Sequence, residues 1–299
     1  MSTWRVQFVR QQSGAMLALV LLLVLATARP LVAAEGPYFL TYDHHLEDPG
    51  DLEVSFSPVF GFPRTVSRFA GASTEFEYGA SRWWTTEFYL DGQTTWRDAT
   101  VFTGFRWENR FRPLQGEHWI NPVLYVEFEN INGADKSLLE VVGHDTEEDF
   151  VAPAGLARVV KEREIETKLI LSSDFKRWNI SENFIAEKNL TNVPWEFGYT
   201  MGVSRPLGFA ASPLACNFCR KNFSVGAELY GGLGDRYEFG FHRTSQYAGP
   251  LMTWALSNGT TFKFSPMFGM TRDSHRALLR FSVSYEIERF DRRVQWLFR

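Results

Sequence analysis

The 299-residue chain holds only two cysteines, Cys216 and Cys219. That scarcity excludes a disulfide-stapled scaffold and a four-cysteine zinc site. Basic residues are not in surplus: 31 Lys and Arg stand against 35 Asp and Glu, giving a formal charge of −4. No basic patch of the kind that binds nucleic acid follows from this, so no nucleic-acid partner is expected. There is one long apolar run, Ala15 to Ala26, and no second. A transmembrane helix is therefore not available further along the chain. The sequence also lacks a Gly-x-Ser-x-Gly elbow and an HExxH helix, and Gly231-Gly232-Leu233-Gly234 reads as a strand end rather than a phosphate loop. Neither an enzyme nor a cofactor is expected.

The single apolar run fits a targeting segment. Arg5 and Arg10 precede it, and Val32-Ala33-Ala34 offers small residues for cleavage before Glu35. The run is shorter than the roughly 20 residues that cross a bilayer, so residues 1–34 are expected to be a cleaved signal peptide. Removing it leaves 265 residues (299 − 34), and an export address fits a bacterial envelope protein. Residues 35–50 are expected to form a periplasmic or plug segment, and residues 51–299 one outer-membrane barrel.

What the chain does have is alternation. Trp195, Phe197, Tyr199, Met201 and Val203 are separated by Glu196, Gly198, Thr200 and Gly202. A period of two over nine residues is a strand with one apolar and one polar face. The pattern recurs from Leu52 to Phe62, through Trp84 to Leu90 and Leu124 to Phe128, to Leu279–Ile287. About 12 such segments with turn-like gaps predict an all-β chain: a single antiparallel transmembrane β-barrel in an up-and-down meander. Residues 159–166 are charged enough to compete as a helix.

Three features point the apolar face at lipid. The polar positions hold mainly Glu, Ser, Thr, Gly and Asn, with a few Arg. Tryptophans recur near segment ends, at Trp83, Trp84, Trp96, Trp107, Trp119, Trp178 and Trp195, as in the aromatic girdles of membrane barrels. Val294, Trp296 and Phe298 alternate just before Arg299. An aromatic-ended last strand is the signal read by barrel-assembly machinery, which makes that machinery an expected partner through Trp296 and Phe298, beside outer-membrane lipid and a small-molecule solute.

The stretch Gly36-Pro37-Tyr38-Phe39-Leu40-Thr41-Tyr42-Asp43, followed by Glu47-Asp48-Pro49-Gly50-Asp51-Leu52-Glu53, resembles the opening of a bacterial outer-membrane family named for the meta-pathway of phenol degradation. Tyr38 and Tyr42 depart from that family's Pro and Asp. The resemblance implies passage of small, often aromatic or hydrophobic, molecules.

The polar face is acid-rich. Glu77, Glu87, Arg106, Glu127, Glu129, Lys263 and Arg280 are the residues expected to line a lumen and set its selectivity. Such a lumen favours cations if open; if filled with ion pairs it makes a closed structural barrel, and a barrel enzyme acting on lipid or envelope substrates is the remaining alternative. Cys216 and Cys219 form a CxxC without a haem histidine or a second pair, a candidate local disulfide. His44 and His45 stand beside Asp43, Glu47 and Asp48. Neighbouring side chains on an extended segment point apart, so no metal site is expected there.

Overall fold

The structure is a computed structural model that describes residues 36–137, 141–144, 152–191, 193–208 and 218–297. The expected signal peptide, Cys216 and Phe298 lie outside them. Twelve strands follow in chain order: β1 Leu52–Phe62, β2 Phe69–Ser81, β3 Trp84–Thr95, β4 Thr100–Phe111, β5 Asn121–Asn132, β6 Lys161–Phe175, β7 Trp178–Asn189, β8 Trp195–Pro206, β9 Phe223–Asp235, β10 Gln246–Ala255, β11 Thr260–Gly269 and β12 Ala277–Ile287. Each pairs antiparallel with its neighbours, and β12 returns to β1, closing the barrel. Closure leaves no unpaired edge. The stretch at 159–166 that could have competed as a helix is strand from Lys161 onward, in β6; a single helical turn, α1, Ala154–Ala157, lies before it.

The rim carrying Leu52 and Ile287 is called proximal here, and the opposite rim distal. Two proximal connections are tight, at residues 82–83 and 176–177, and Lys176 and Arg177 take positive φ there. The longest connection, residues 133–160, is distal.

The side-chain period decides what faces where. Trp195, Met201 and Val203 are exposed on the outer wall, while Gly198, Thr200 and Gly202 are buried within. Aromatic side chains gather in two outer belts. The proximal belt includes Trp83 stacked near Phe111 and Phe223 against Trp254. The distal belt includes Phe197 against Phe239 and Tyr199 against Phe241. Trp107 departs from the expected girdle, sitting well inside β4.

The alternation of Val294 and Trp296 does not extend the last strand. Phe290–Leu297 is a helix, α2. Phe290, Val294 and Leu297 also recur at helical spacing, and the helix starts with Asp291 in its first turn, where a carboxylate suits the dipole. Phe290 packs edge-on against Tyr78. The chain thus leaves the sheet at Ile287.

Residues 36–50 run inside the barrel rather than beside it. Glycines on the wall make room. A Cβ at Gly79 would stand 2.1 Å from the Asp48 carbonyl oxygen, and one at Gly202 would stand 2.5 Å from the Tyr38 ring.

Candidate functional site: a plugged, acid-lined lumen

The strand register sets carboxylates directly opposite one another around most of the barrel. Glu286 of β12 faces Glu53 of β1, which faces Glu77 of β2. The row continues through Glu87, Glu108, Glu127, Glu166, Glu187 and Glu196 to Asp235 of β9. Glu53 is the second residue of β1, at the proximal rim, and Asp235 ends β9 at the distal rim. Strands in a closed barrel are tilted and staggered, so a row followed strand to strand climbs the wall. The carboxylates therefore form a spiral from one rim to the other.

Like charges directly opposite destabilise a sheet, so the row needs cations. Arg110 meets Glu77, Glu87 and Glu108 together. Arg106 bridges Asp91 at 3.0 Å and Glu127 at 3.3 Å. Lys168 reaches Glu166 at 2.9 Å. Tyrosines supply further donors: Tyr89 to Glu87 and Glu108, Tyr125 to Glu127, and Tyr42 to Glu108. Acids outnumber cations along this wall, an arrangement that attracts cations and repels anions.

The N-terminal segment is seated by polar contacts. Glu228 Oε1 accepts the backbone N–H groups of Phe39, Leu40 and Thr41 at 3.1, 3.0 and 3.0 Å. Asn183 accepts from Tyr42 N and donates to Tyr42 O. Lys263 Nζ donates to the carbonyls of Gly36 and Tyr38. Tyr42 lies at the centre, with Arg110 and Lys168 over its ring. About 120 Å³ of space remains between segment and wall, less than the roughly 150 Å³ cavity that admits a benzene.

His44 and His45 correct an expectation. Their rings lie 4.2 Å apart, not on opposite sides. Asp43 Oδ1 accepts the N–H of His45 and folds the chain into a local turn there. A second, side-chain contact, His45 Nδ1 to Asp43 Oδ1 at 3.2 Å, raises His45 to about 9. His44 Nδ1 meets Ser172 Oγ and Nε2 meets Glu117, each at 2.9 Å. This has the outline of a serine–histidine–carboxylate triad, but the oxygen is not a free nucleophile. Ser172 is 1% exposed and its Oγ already accepts from Ser181 and Asn179. Its own proton goes to His44 Nδ1, whose Nε2–H then goes to Glu117. The chain of bonds fastens the segment to β6.

A second stopper enters from the distal rim. In the long connection, Ala134, Lys136, Ser137 and Val141 are buried. Val141 joins Leu40 of the N-terminal segment in an apolar cluster with Val59, Phe69, Tyr230, Tyr247, Met267 and Leu278. The distal half of the lumen thus holds an apolar cluster, where a polar interior was expected. His275 closes the contact: its Nε2 meets the Lys136 carbonyl at 3.3 Å, its N–H donates to Tyr247, and Phe69 covers its ring.

Burial holds His275 down at about 4, with the Lys136 and Arg280 charges adding to the effect. Its ordinary value is near 6.5. The contact is fully stabilising above pH 6.5 and weakens as pH falls from 6.5 through 4, by about 3 kcal/mol at pH 4. A His275→Gln protein should lack this part of the acid sensitivity when urea unfolding is compared at pH 7 and pH 4.5. An unchanged pH dependence would remove His275 from the account.

All seven sequence-chosen lumen residues are buried and face inward. Glu77, Glu87, Arg106, Glu127 and Glu129 share the acidic wall, with Arg106 opposite Glu129. Lys263 and Arg280 stand across the barrel; Arg280 reaches the Ser137 carbonyl and the Tyr230 hydroxyl, both at 3.4 Å. Tyr42, Glu187 and the His44–Ser172 contact were not among the expected lumen residues. Cys219 is disulfide-bonded and lies between β8 and β9 at the proximal rim.

No protein-family profile matches the chain, and no curated protein matches it. Solved structures do. The COG4313 outer membrane channel from Pseudomonas putida F1 superposes with a TM-score of 0.53 at 8% identity, over 85% of this chain and all of that one. The fold is that of an outer-membrane β-barrel. The NanC porin matches at a TM-score of 0.47 and 10% identity, over 79% of this chain and all of that one. LpxR from Salmonella typhimurium matches at 0.39 and 10%, over 79% of this chain and 99% of that one. At these identities the likeness is one of fold.

Proposed function

We propose that this barrel is an outer-membrane channel for passive uptake of small molecules, held shut by its own N-terminal segment. One observation carries the reading: residues 36–50 fill the lumen of a closed barrel through reversible hydrogen bonds to Glu228, Asn183 and Lys263, and the distal connection packs on that segment through Val141 and Leu40. An outward apolar face with aromatic belts supports residence in lipid. The acidic spiral makes the released lumen cation-preferring. The resemblance of residues 36–53 to the phenol meta-pathway family supports small aromatic or hydrophobic solutes, and Tyr89 and Tyr125 offer rings on the wall. An enzymatic reading rests on the Ser172–His44–Glu117 chain, and the buried, doubly bonded Ser172 oxygen weighs against it.

The test is conductance in planar bilayers under a potassium chloride gradient. The full chain should remain mostly closed. A variant lacking residues 36–50 should show discrete, cation-selective steps. A folded, heat-modifiable deletion variant without steps would leave a closed structural barrel as the better account.

A further inference from the structure

Three carboxylates converge where the N-terminal segment turns into β1. Donor oxygens of Glu47, Asp51 and Glu286 all lie within 4.8 Å of one another. They come from opposite ends of the barrel sequence and meet at the proximal rim: Glu47 and Asp51 precede β1, and Glu286 is the penultimate residue of β12. Glu47 is 5% exposed and Glu286 7%. Glu47 Oε1 and Glu286 Oε2 are buried without a hydrogen-bond partner. The ion pairs of Arg106, Arg110 and Lys168 go to other acids. Asp51 has one fixed partner, the N–H of Arg289 at 2.6 Å.

Buried carboxylate oxygens require a donor or a cation. The geometry supplies no donor for two of them and brings three carboxyl groups to one point. An all-oxygen, carboxylate-rich donor set suits a hard divalent ion. Calcium accepts irregular oxygen geometry, whereas magnesium demands a near-ideal octahedron and keeps its waters. We propose that Glu47, Asp51 and Glu286 bind calcium, which ties the base of the N-terminal segment to the last strand at the β1–β12 seam. The proposal goes beyond the channel reading and stands whether or not the barrel conducts.

The experiment is titration calorimetry with calcium chloride on the refolded full chain, washed with chelator and free of lipopolysaccharide. One saturable site is expected. Glu47→Gln should weaken it at least tenfold, and Glu47 lies outside the strands, so the barrel should still fold. Glu286→Gln should act likewise, and Glu238→Gln, on an exposed distal loop, should not. Heat-modifiability reports folding for each variant. Absence of saturable uptake by the folded wild type, or wild-type affinity in folded Glu47→Gln, would overturn the proposal.

Discussion

Replacing Arg110 with methionine should lower the stability of the barrel by about 3–5 kcal/mol, the usual cost of removing one partner from a buried ionic cluster. Arg110 is buried and meets Glu77, Glu87 and Glu108 at once. Those carboxylates already face each other across the β2–β3 and β3–β4 ladders. Without the guanidinium they are left as buried like charges. Lysine should restore little, because a single ammonium cannot present the planar fork that reaches several carboxylates. Urea unfolding in liposomes measures the loss, with Arg112→Met as the comparison. Arg112 is part-buried at the rim and meets one acid, the mostly exposed Glu117, besides Gly116 and Asn121, so its removal should cost less than that of Arg110. Equal losses for the two variants would mean that Arg110 does not hold the acidic wall together.

Replacing Glu228 with glutamine should release the plug. One carboxylate oxygen accepts three consecutive backbone N–H groups from Phe39, Leu40 and Thr41. Hydrogen bonds to a charged group contribute roughly 1.5–3 kcal/mol each against about 1 for a neutral one. Neutralising the acceptor weakens all three together, and a net loss of about 3 kcal/mol shifts the closed-to-open ratio by about 100-fold. The expected result is a large rise in single-channel open probability. Chymotrypsin should also cut after Tyr38, Phe39 or Tyr42, which the seated segment buries at least in part. A variant as silent and as resistant as the wild type would show that Glu228 does not hold the segment.

The two variants test different layers of one design. Arg110 balances charge on the wall itself, while Glu228 binds a segment that the wall could release. The acidic spiral is costly for folding, and the barrel offsets it with three cations, Arg106, Arg110 and Lys168, and the hydroxyls of Tyr42, Tyr89 and Tyr125. That economy leaves the wall acidic, which is what a cation-preferring route requires.

Much of this was legible residue by residue. Leu279 to Ile287 reads as a strand and forms β12. The inward placement of Glu53, Glu77, Glu87, Glu108 and Glu127 follows from parity along each strand. Elsewhere local signals conflicted. Glu182 sits on the outer-facing parity of β7 and interrupts its apolar face, so the period of two does not by itself carry the strand on to Glu187. Val294 and Trp296 satisfied a two-residue period, but Phe290, Val294 and Leu297 satisfied a helical one as well, and the helix prevailed.

The sequence by itself determined the strands, their number and their two faces, because a period of two is local and survives in any register. Only the tertiary structure decided which residues meet. The turns and the irregularities near Gly79, Asp91 and Glu196 set the register, and the register turns scattered acids into one spiral. Closure then brings Glu286 beside Glu53 from opposite ends of the barrel sequence. The path of residues 36–50 through the lumen was likewise set by distant partners, Glu228 and Asn183, because a segment without periodicity takes its conformation from what surrounds it.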